Sequence, residues 1–397
     1  MASLLVKNIA KTRNSSKVVN NKIYLFSSIT NFPRESEGNT YSVNWSLIVD
    51  GVVPLGQAYR NARIPLLVSR LPAKVDGGKV DITSPAYIGK YKLLEAGDST
   101  LSQEAFSSSL KNVQDYLSSG IDLYAEDASL AKIGVRVITD SPAAALIFRG
   151  FMSPSLLSEV DHRARFDGWN MEARWINPDS KDMFSKESQP AQRPIVACYG
   201  GPGDMVAIQF CESNKKIVGA NVVAGGAAPI RGLIDAIGLA TTVYMNSTQK
   251  DILALSSTCI VKGSSTILII GADDTVIDAA ASKSVLYSAY HNAVSKNSVY
   301  SLWNSYIGTG AIAPGEIPSI VSGGRIIKPL AQKSAASSPT SIIFFEAGAM
   351  KKALTQEEGL RKILDVTDAA KSDTAKGILS GKNIYVVGNA SDALSLL

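Results

Sequence analysis

Residues 254–277 read ALSSTCIVKGSSTILIIGADDTVI. Within them the apolar run Thr266-Ile-Leu-Ile-Ile270 ends at Gly271 and gives way to Ala272-Asp273-Asp274-Thr275. A short apolar run bounded by turn residues reads as a buried strand. A strand running into a glycine is also the layout of a phosphate-binding loop. Such loops work because successive glycines let backbone N–H groups close on the phosphates, while a lysine supplies countercharge and a Ser or Thr holds Mg²⁺. Here one glycine remains, no lysine follows it, and two carboxylates occupy the tip. That loop would repel a triphosphate. Taken alone, Gly-Ala-Asp-Asp is an ordinary strand-to-turn junction with the usual turn chemistry of Gly and Asp.

Composition sets the limits around this stretch. With 397 residues, 45% of them hydrophobic and 19% charged, the chain can bury two sizeable cores, so a two-domain soluble protein is expected. The net charge of +5 comes largely from the beginning of the chain, where Lys7, Lys11, Arg13, Lys17 and Lys22 precede the first acid, Glu35. That asymmetry belongs to the N-terminus and is not a basic nucleic-acid face, so nucleic acid is not an expected partner. Residues 1–21 mix Leu4, Leu5, Val6 and Ile9 with spaced basic residues and no acid. They read either as a mitochondrial targeting segment or as a basic tail on a cytoplasmic protein. Cys198, Cys211 and Cys259 lack a Cys-x-x-Cys spacing and read as buried thiols. With only His162 and His291, metal or histidine-triad chemistry has few parts to use. The longest apolar stretch, Ile217 to Met245, is broken by Arg231 and Asp235, short of the about 18 uninterrupted apolar residues of a membrane span.

Along the chain, Lys22 to Ser28 and Tyr41 to Val49 alternate like strands. Leu101 to Ser118 reads as a helix opened by Ser102 and Glu104. Ile121 to Ala125 and Lys132 to Thr139 read as strands, the second buried on both faces, and Pro142 opens a helix through Met152. Asp161 to Arg193 turns polar and aromatic, and its Trp169 and Trp175 are either docking residues or packed against their own domain. Strands are expected at Ile195 to Tyr199, Met205 to Cys211 and Lys216 to Val223, and a helix at Ile230 to Tyr244. Beyond the polar junction from Met245 to Lys250, strands are expected at Thr266 to Ile270, Ser341 to Phe345 and Asn383 to Val387. Helices are expected at Ala281 to Lys296 and Gln356 to Leu364, with a Gly/Pro loop from Gly308 to Gly324 between them.

Several segments, in order, resemble ATP-type phosphoenolpyruvate carboxykinase. Leu101-Ser-Gln-Glu104, Ile121 to Asp127, Ile133-Gly-Val-Arg-Val-Ile-Thr-Asp140 and Leu146-Ile-Phe-Arg-Gly-Phe-Met152 resemble that family's run from its LS-x-E helix through V-R-V-I-T-E to A-R-N-M-F-I-R-P. Ile217 to Gly226 resembles I-G-G-T-W-Y-A-G-E, and Met245-Asn246 stands where the family has M-N-Y-L-L-P. Ser257-Thr-Cys-Ile260 takes the place of M-H-C-S-A-N, and Leu268-Ile-Ile-Gly271 that of F-F-G before the kinase loop. Arg325-Ile-Ile-Lys-Pro329 with Ser341 to Ala347 resembles N-I-V-K-P followed by V-I-F-L-T-A-D-A. The match runs through residues 100–376, and its order carries the inference. It implies a two-domain carboxykinase-like α/β fold with mixed sheets and a degenerate P-loop. The implied parts are a basic extension at 1–21, an N-terminal domain at 22–245 and a truncated nucleotide-domain-like part at 246–397.

Carried over residue by residue, the resemblance leaves only vestigial positions. The family's metal lysine falls in the stretch that contains Arg231, and an arginine cannot release its proton to ligate a metal. The tyrosine and glutamate of Y-A-G-E fall on Val223 and Gly226. The metal histidine falls on Ser257 or Thr258. The P-loop lysine and threonine have no counterpart around Gly271, Asp273, Asp274 and Thr275, and Glu316 to Gly324 lacks the family's arginine. The substrate motif T-G-R-S-P-K-D falls at Ser69-Arg70-Leu-Pro-Ala-Lys74 or at Thr83-Ser-Pro-Ala86. Arg70 is either an anion holder or a solvated arginine, and Asp273 and Asp274 are either cation ligands or solvated turn residues. His162 and His291 lie outside every matched motif and read as structural.

Phosphoryl transfer is almost wholly positioning and electrostatic stabilisation, so a chain without the lysine, the metal ligands and the glycine loop lacks the terms that produce the rate. The expectation is a catalytically inactive carboxykinase-like protein, with no catalytic residue, metal or cofactor, that serves as an accessory subunit among the other protein subunits of a larger, mitochondrial assembly. The alternatives are a regulatory protein that still binds an anion or nucleotide, and an active carboxykinase with a rearranged site.

Overall fold

A computed structural model describes residues 47–53, 55, 58–60, 62, 64–71, 75–76, 79–81, 91–130, 133–152, 194–213, 216–309, 319–322, 325–330, 335–367 and 369–396. The basic extension, the strand expected at Lys22 to Ser28, Thr83 to Ala86, His162, Trp169 and Trp175 lie outside the described residues.

The first part of the chain runs β1 (Ala58–Arg60), α1 (Ile64–Ser69), β2 (Val75–Asp76), β3 (Lys79–Asp81), β4 (Leu93–Glu95), α2 (Gln103–Leu117), β5 (Leu123–Leu130), β6 (Ile133–Thr139) and α3 (Pro142–Phe151). It continues through β7 (Ile195–Tyr199), β8 (Val206–Ser213), β9 (Lys216–Ala224) and α4 (Ile230–Thr248). Then follow β10 (Leu253–Lys262), β11 (Ser265–Ile270), α5 (Asp274–Ser282), β12 (Leu286–Ser288), β13 (His291–Val294), β14 (Ser298–Ser301) and β15 (Ser305–Gly308). The last elements are β16 (Ser319–Ser322), β17 (Arg325–Pro329), β18 (Ala336–Ser337), β19 (Ser341–Phe345), β20 (Lys352–Ala353), α6 (Gln356–Asp365), α7 (Ser372–Leu379), β21 (Asn383–Val387) and α8 (Ala390–Leu394).

These elements form a mixed α/β protein with three mixed sheets. The first has the order β1-β5-β6-β7-β9-β8-β4. Every residue of β6 is buried; its apolar residues pack on both faces, and Arg136 in its middle is held by an ion pair with Asp50 at 2.6 Å. Val135 and Val137 face α3 and α4, and Ile138 faces the side that α2 covers with Phe106, Val113 and Leu117. Local signals set the helix ends. Ser102 caps α2 by accepting from the Ala105 amide at 3.1 Å, and Ser141 caps α3, whose first residue is Pro142.

The second sheet has the order β18-β14-β13-β10-β11-β19-β21-β20, with β12 paired to β10. Its centre is parallel, β11 with β19 and β19 with β21. Leu268, Ile270, Ile342 and Phe344 pack under α6 and α7, and Ile267, Ile269 and Ile343 pack under α5 and α8. Two-sided burial explains why Ile267-Leu-Ile-Ile270 is apolar without alternation. The third sheet, β15-β17-β16-β3-β2, pairs strands from both sides of residue 245 through the parallel β3–β16 contact.

Three expectations need correction. The helix expected at Ala281 to Lys296 does not form: α5 ends at Ser282 and the chain returns as β12 and β13, antiparallel to β10. Leu47–Asp50 is a turn of 3₁₀ helix where a strand was expected, and β16 lies within the loop expected from Gly308 to Gly324. Cys198 and Cys259 are buried as expected, and Cys211 is only partly so. Among the described residues, no helix is long and apolar enough to cross a membrane.

Candidate functional site

The opening stretch forms a strand, a turn and a helix. Gly271 leaves β11 with φ +79°, a left-handed conformation that glycine adopts without steric cost. Two residues later Asp273 caps α5. Its Oδ1 accepts from the backbone N–H of Thr275 and of Val276, both at 3.1 Å, and from the Thr275 hydroxyl at 2.6 Å. A helix N-terminus offers free N–H groups and the positive end of a dipole to an anion. In this chain the anion is its own Asp273 carboxylate.

Beside it lies a partly buried charge cluster. α4 is apolar along most of its length, with Arg231 and Asp235 one turn apart near its start. The Arg231 Nε donates to Asp235 Oδ2 at 2.8 Å, and its Nη1 donates to Asp274 Oδ1 at 3.4 Å. The Tyr91 hydroxyl donates to the same Asp235 oxygen. The guanidinium lies 3.7 Å from the centroid of the Tyr290 ring, a cation–π contact in a desolvated place. Burial alone would lower the Arg231 pKa, but Tyr290, Asp235 and Asp274 outweigh it and hold the group above its usual value. Burial raises the Tyr91 pKa, and Asp235 pushes it further in the same direction.

The neighbouring His291, on β13, accepts at Nδ1 from the indole N–H of Trp303 at 3.2 Å. Its ring fills the space left by Gly238 of α4, where an added Cβ would stand 2.4 Å from the imidazole Cε1. Burial pushes its pKa down to about 4. His291 is therefore a neutral core residue, in line with the structural reading of the sequence.

The other singled-out residues are dispersed or engaged. Val223 is buried in β9, and Ser257 and Thr258 are buried in β10, where Ser257 accepts from the Asn292 amide at 3.2 Å. Arg70, just past α1, pairs with Asp122, donates to the Tyr59 hydroxyl at 2.7 Å and stacks 5.2 Å from that ring. It is partly exposed and already partnered. The positions that the resemblance assigns to a transition metal carry a serine or threonine and an ion-paired arginine, a donor set that does not fit such an ion. Among the described residues, no three His, Cys, Asp or Glu side chains come together as a metal site.

Arg231, Asp274 and, through the cap, Asp273 and Thr275 are thus brought together, whereas Arg70, Val223, Ser257 and Thr258 make no site with them. Sequence reasoning missed Tyr91, Tyr290 and Trp303. Asp235, four residues after Arg231 in an otherwise apolar helix, was the available signal for a buried pair. No family model matches the chain, and no curated protein matches it.

Proposed function

We propose that this chain is a catalytically inactive, carboxykinase-like protein with a degenerate P-loop, serving as a structural or accessory subunit of a larger, mitochondrial assembly. One observation carries the reading: Asp273 occupies, with its own carboxylate, the helix N-terminus where a phosphate would be held. An incoming phosphate would have to displace that cap and then face Asp274 beside it. The nearby cation gives it no help, because Arg231 is committed to Asp235 and Asp274. Electrostatic stabilisation of a transferring phosphoryl group needs donors and cations left free for it. The ordered resemblance supports the carboxykinase-like scaffold, and the basic composition of residues 1–21 supports the mitochondrial setting.

Two measurements test the two halves of the proposal. Isothermal titration of the full chain with Mg-ATP, phosphoenolpyruvate and oxaloacetate should give no binding heat, and saturable heat with any of them would sink the inactive reading. The native mass in extract should far exceed that of a 42.1 kDa monomer. A free monomer would overturn the subunit role.

A further inference from the structure

Tyr290 is a bulky residue with φ +75°, in the left-handed region that side chains other than glycine, Asn and Asp rarely adopt. It stands between β12 and β13, stacked 6.5 Å from the Phe151 ring, and three further contacts hold it there. Its carbonyl accepts from the Ser257 amide at 2.7 Å. Its hydroxyl accepts from the Ile307 amide at 2.7 Å. Its ring lies against the Arg231 guanidinium. Strained backbone persists only where the surroundings over-determine it, and such residues gather at switches and clamps. Ser284, the other described non-glycine residue with positive φ, is a helix-end turn with no comparable grip.

Arg231 has two anionic partners of unequal accessibility. Asp235 is on the same helix and largely buried, whereas Asp274 opens α5 on the second sheet and its side chain is 44% exposed. We infer that Arg231 is the pin of a strain-bearing clasp: held between α4 and α5 by Asp235 and Asp274, it fixes the left-handed turn at Tyr290, and the Asp274 contact is its release point. Breaking that contact frees the guanidinium from α5 and leaves it held by Asp235 alone, which loosens the face on which Tyr290 stacks and relaxes the turn between β12 and β13. The start of α5 and the β12–β13 turn, which meet at Arg231, therefore open together. The inference rests on packing and does not depend on the proposed function.

Hydrogen–deuterium exchange of the full chain tests it. Asp274→Asn removes the charge and leaves the cap, which belongs to Asp273. In this variant, amides of both 274–282 and 286–294 should exchange faster by on the order of tenfold, the scale of losing one charged hydrogen bond that limits local opening. Amides of 356–379, under the far face of the second sheet, should not change. Arg231→Lys keeps the charge but loses the planar stack and should produce the same paired opening, which keeps the test available if the Asn variant does not fold. Acceleration confined to 274–282, or absent from both segments, overturns the proposal. Tyr290→Gly accepts the left-handed backbone without strain and has no ring to stack. In that background Asp274→Asn should leave 286–294 unchanged, and acceleration as large as in the parent chain would refute a link through Tyr290.

Discussion

His291→Asn should make the protein less sensitive to acid. The imidazole is 3% exposed, packed on Gly238 and bonded at Nδ1 to the Trp303 indole. Burial lowers its pKa from 6.5 to about 4, with Asp235 opposing that change and Arg231 reinforcing it. Above the unfolded value the ring is neutral in both states and contributes no pH dependence. As pH falls, the unfolded chain takes up the proton first, so stability declines from near the unfolded pKa and levels off only below the folded one. The loss is about 2 kcal/mol near pH 5 and approaches about 3 kcal/mol at lower pH, because a tenfold difference in proton affinity between the two states corresponds to about 1.4 kcal/mol.

Asparagine suits the test because its carboxamide oxygen can stand where Nδ1 accepts from Trp303, while the side chain cannot titrate. Urea unfolding of both proteins, followed by far-UV circular dichroism at about pH 7.5 and about pH 5, gives four stabilities. The fixed cost of the smaller side chain cancels when each protein is compared with itself, and carboxylates titrate alike in both. The parent chain should lose about 2 kcal/mol more than the variant between the two conditions. Equal losses would refute the reading of His291 as a buried neutral base.

The remaining predictions concern the cap, the core and the thiols. Asp273→Ala should cost about 1 kcal/mol in urea unfolding through the lost cap of α5, and unchanged stability would argue against capping. Gly238→Ala drives a Cβ to within 2.4 Å of the His291 ring; the expected cost is about 1–3 kcal/mol from overpacking, read as a lower thermal midpoint. Leu268→Ala removes a fully buried side chain opposite Cys259; the expected loss is about 2–5 kcal/mol in urea unfolding. Native titration with a thiol reagent should label Cys211 well before Cys198 and Cys259, because burial pushes the Cys198 thiol up to about 12 and the Cys259 thiol higher. Early labelling of Cys259 would contradict a closed second sheet.

Much of the fold was legible where local pattern and burial agree. Ile267-Leu-Ile-Ile270 and Ile342 to Phe345 are apolar, and Ile133 to Thr139 is largely so around Arg136, because helices cover both faces of their sheets, and that is visible without a structure. Ala281 to Lys296 misled because its alanines and spaced apolar residues suit a helix. Pairing with β10 decides its conformation, and a propensity window does not see that contact. The helix signal lay just upstream, in Asp273-Asp-Thr275: an Asp ahead of an apolar run is an N-cap signature, and reading the loop for phosphate chemistry hid it. At the site, Arg231–Asp235 was readable as an i,i+4 pair. Tyr91 and Tyr290 arrive from distant parts of the chain and carry no local mark, and Asp274, marked by its place in the loop, gave no sign of its arginine partner.

The loop and the arginine obey one electrostatic rule. A helix N-terminus leaves free donors and a mostly buried guanidinium carries a charge, and an anion can satisfy either. In a phosphate-binding protein part of that anion is the ligand, so the apo protein keeps unsatisfied donors. Here Asp273 meets the helix and Asp274 and Asp235 meet Arg231, so the polar groups are satisfied within the chain. Removing one partner of a buried pair costs about 3–5 kcal/mol because the other charge is left uncompensated. Arg231→Met should therefore destabilise the protein towards that scale, and Arg231→Met with Asp235→Leu should recover part of the loss, since the more buried of the two carboxylates is then gone while Asp274, 44% exposed, keeps access to water. Recovery without any gain of phosphate binding is the result expected of a charge cluster that stabilises the fold. If the double variant is no more stable than Arg231→Met alone, Asp235 is not the group that strands, and the pairing argument fails.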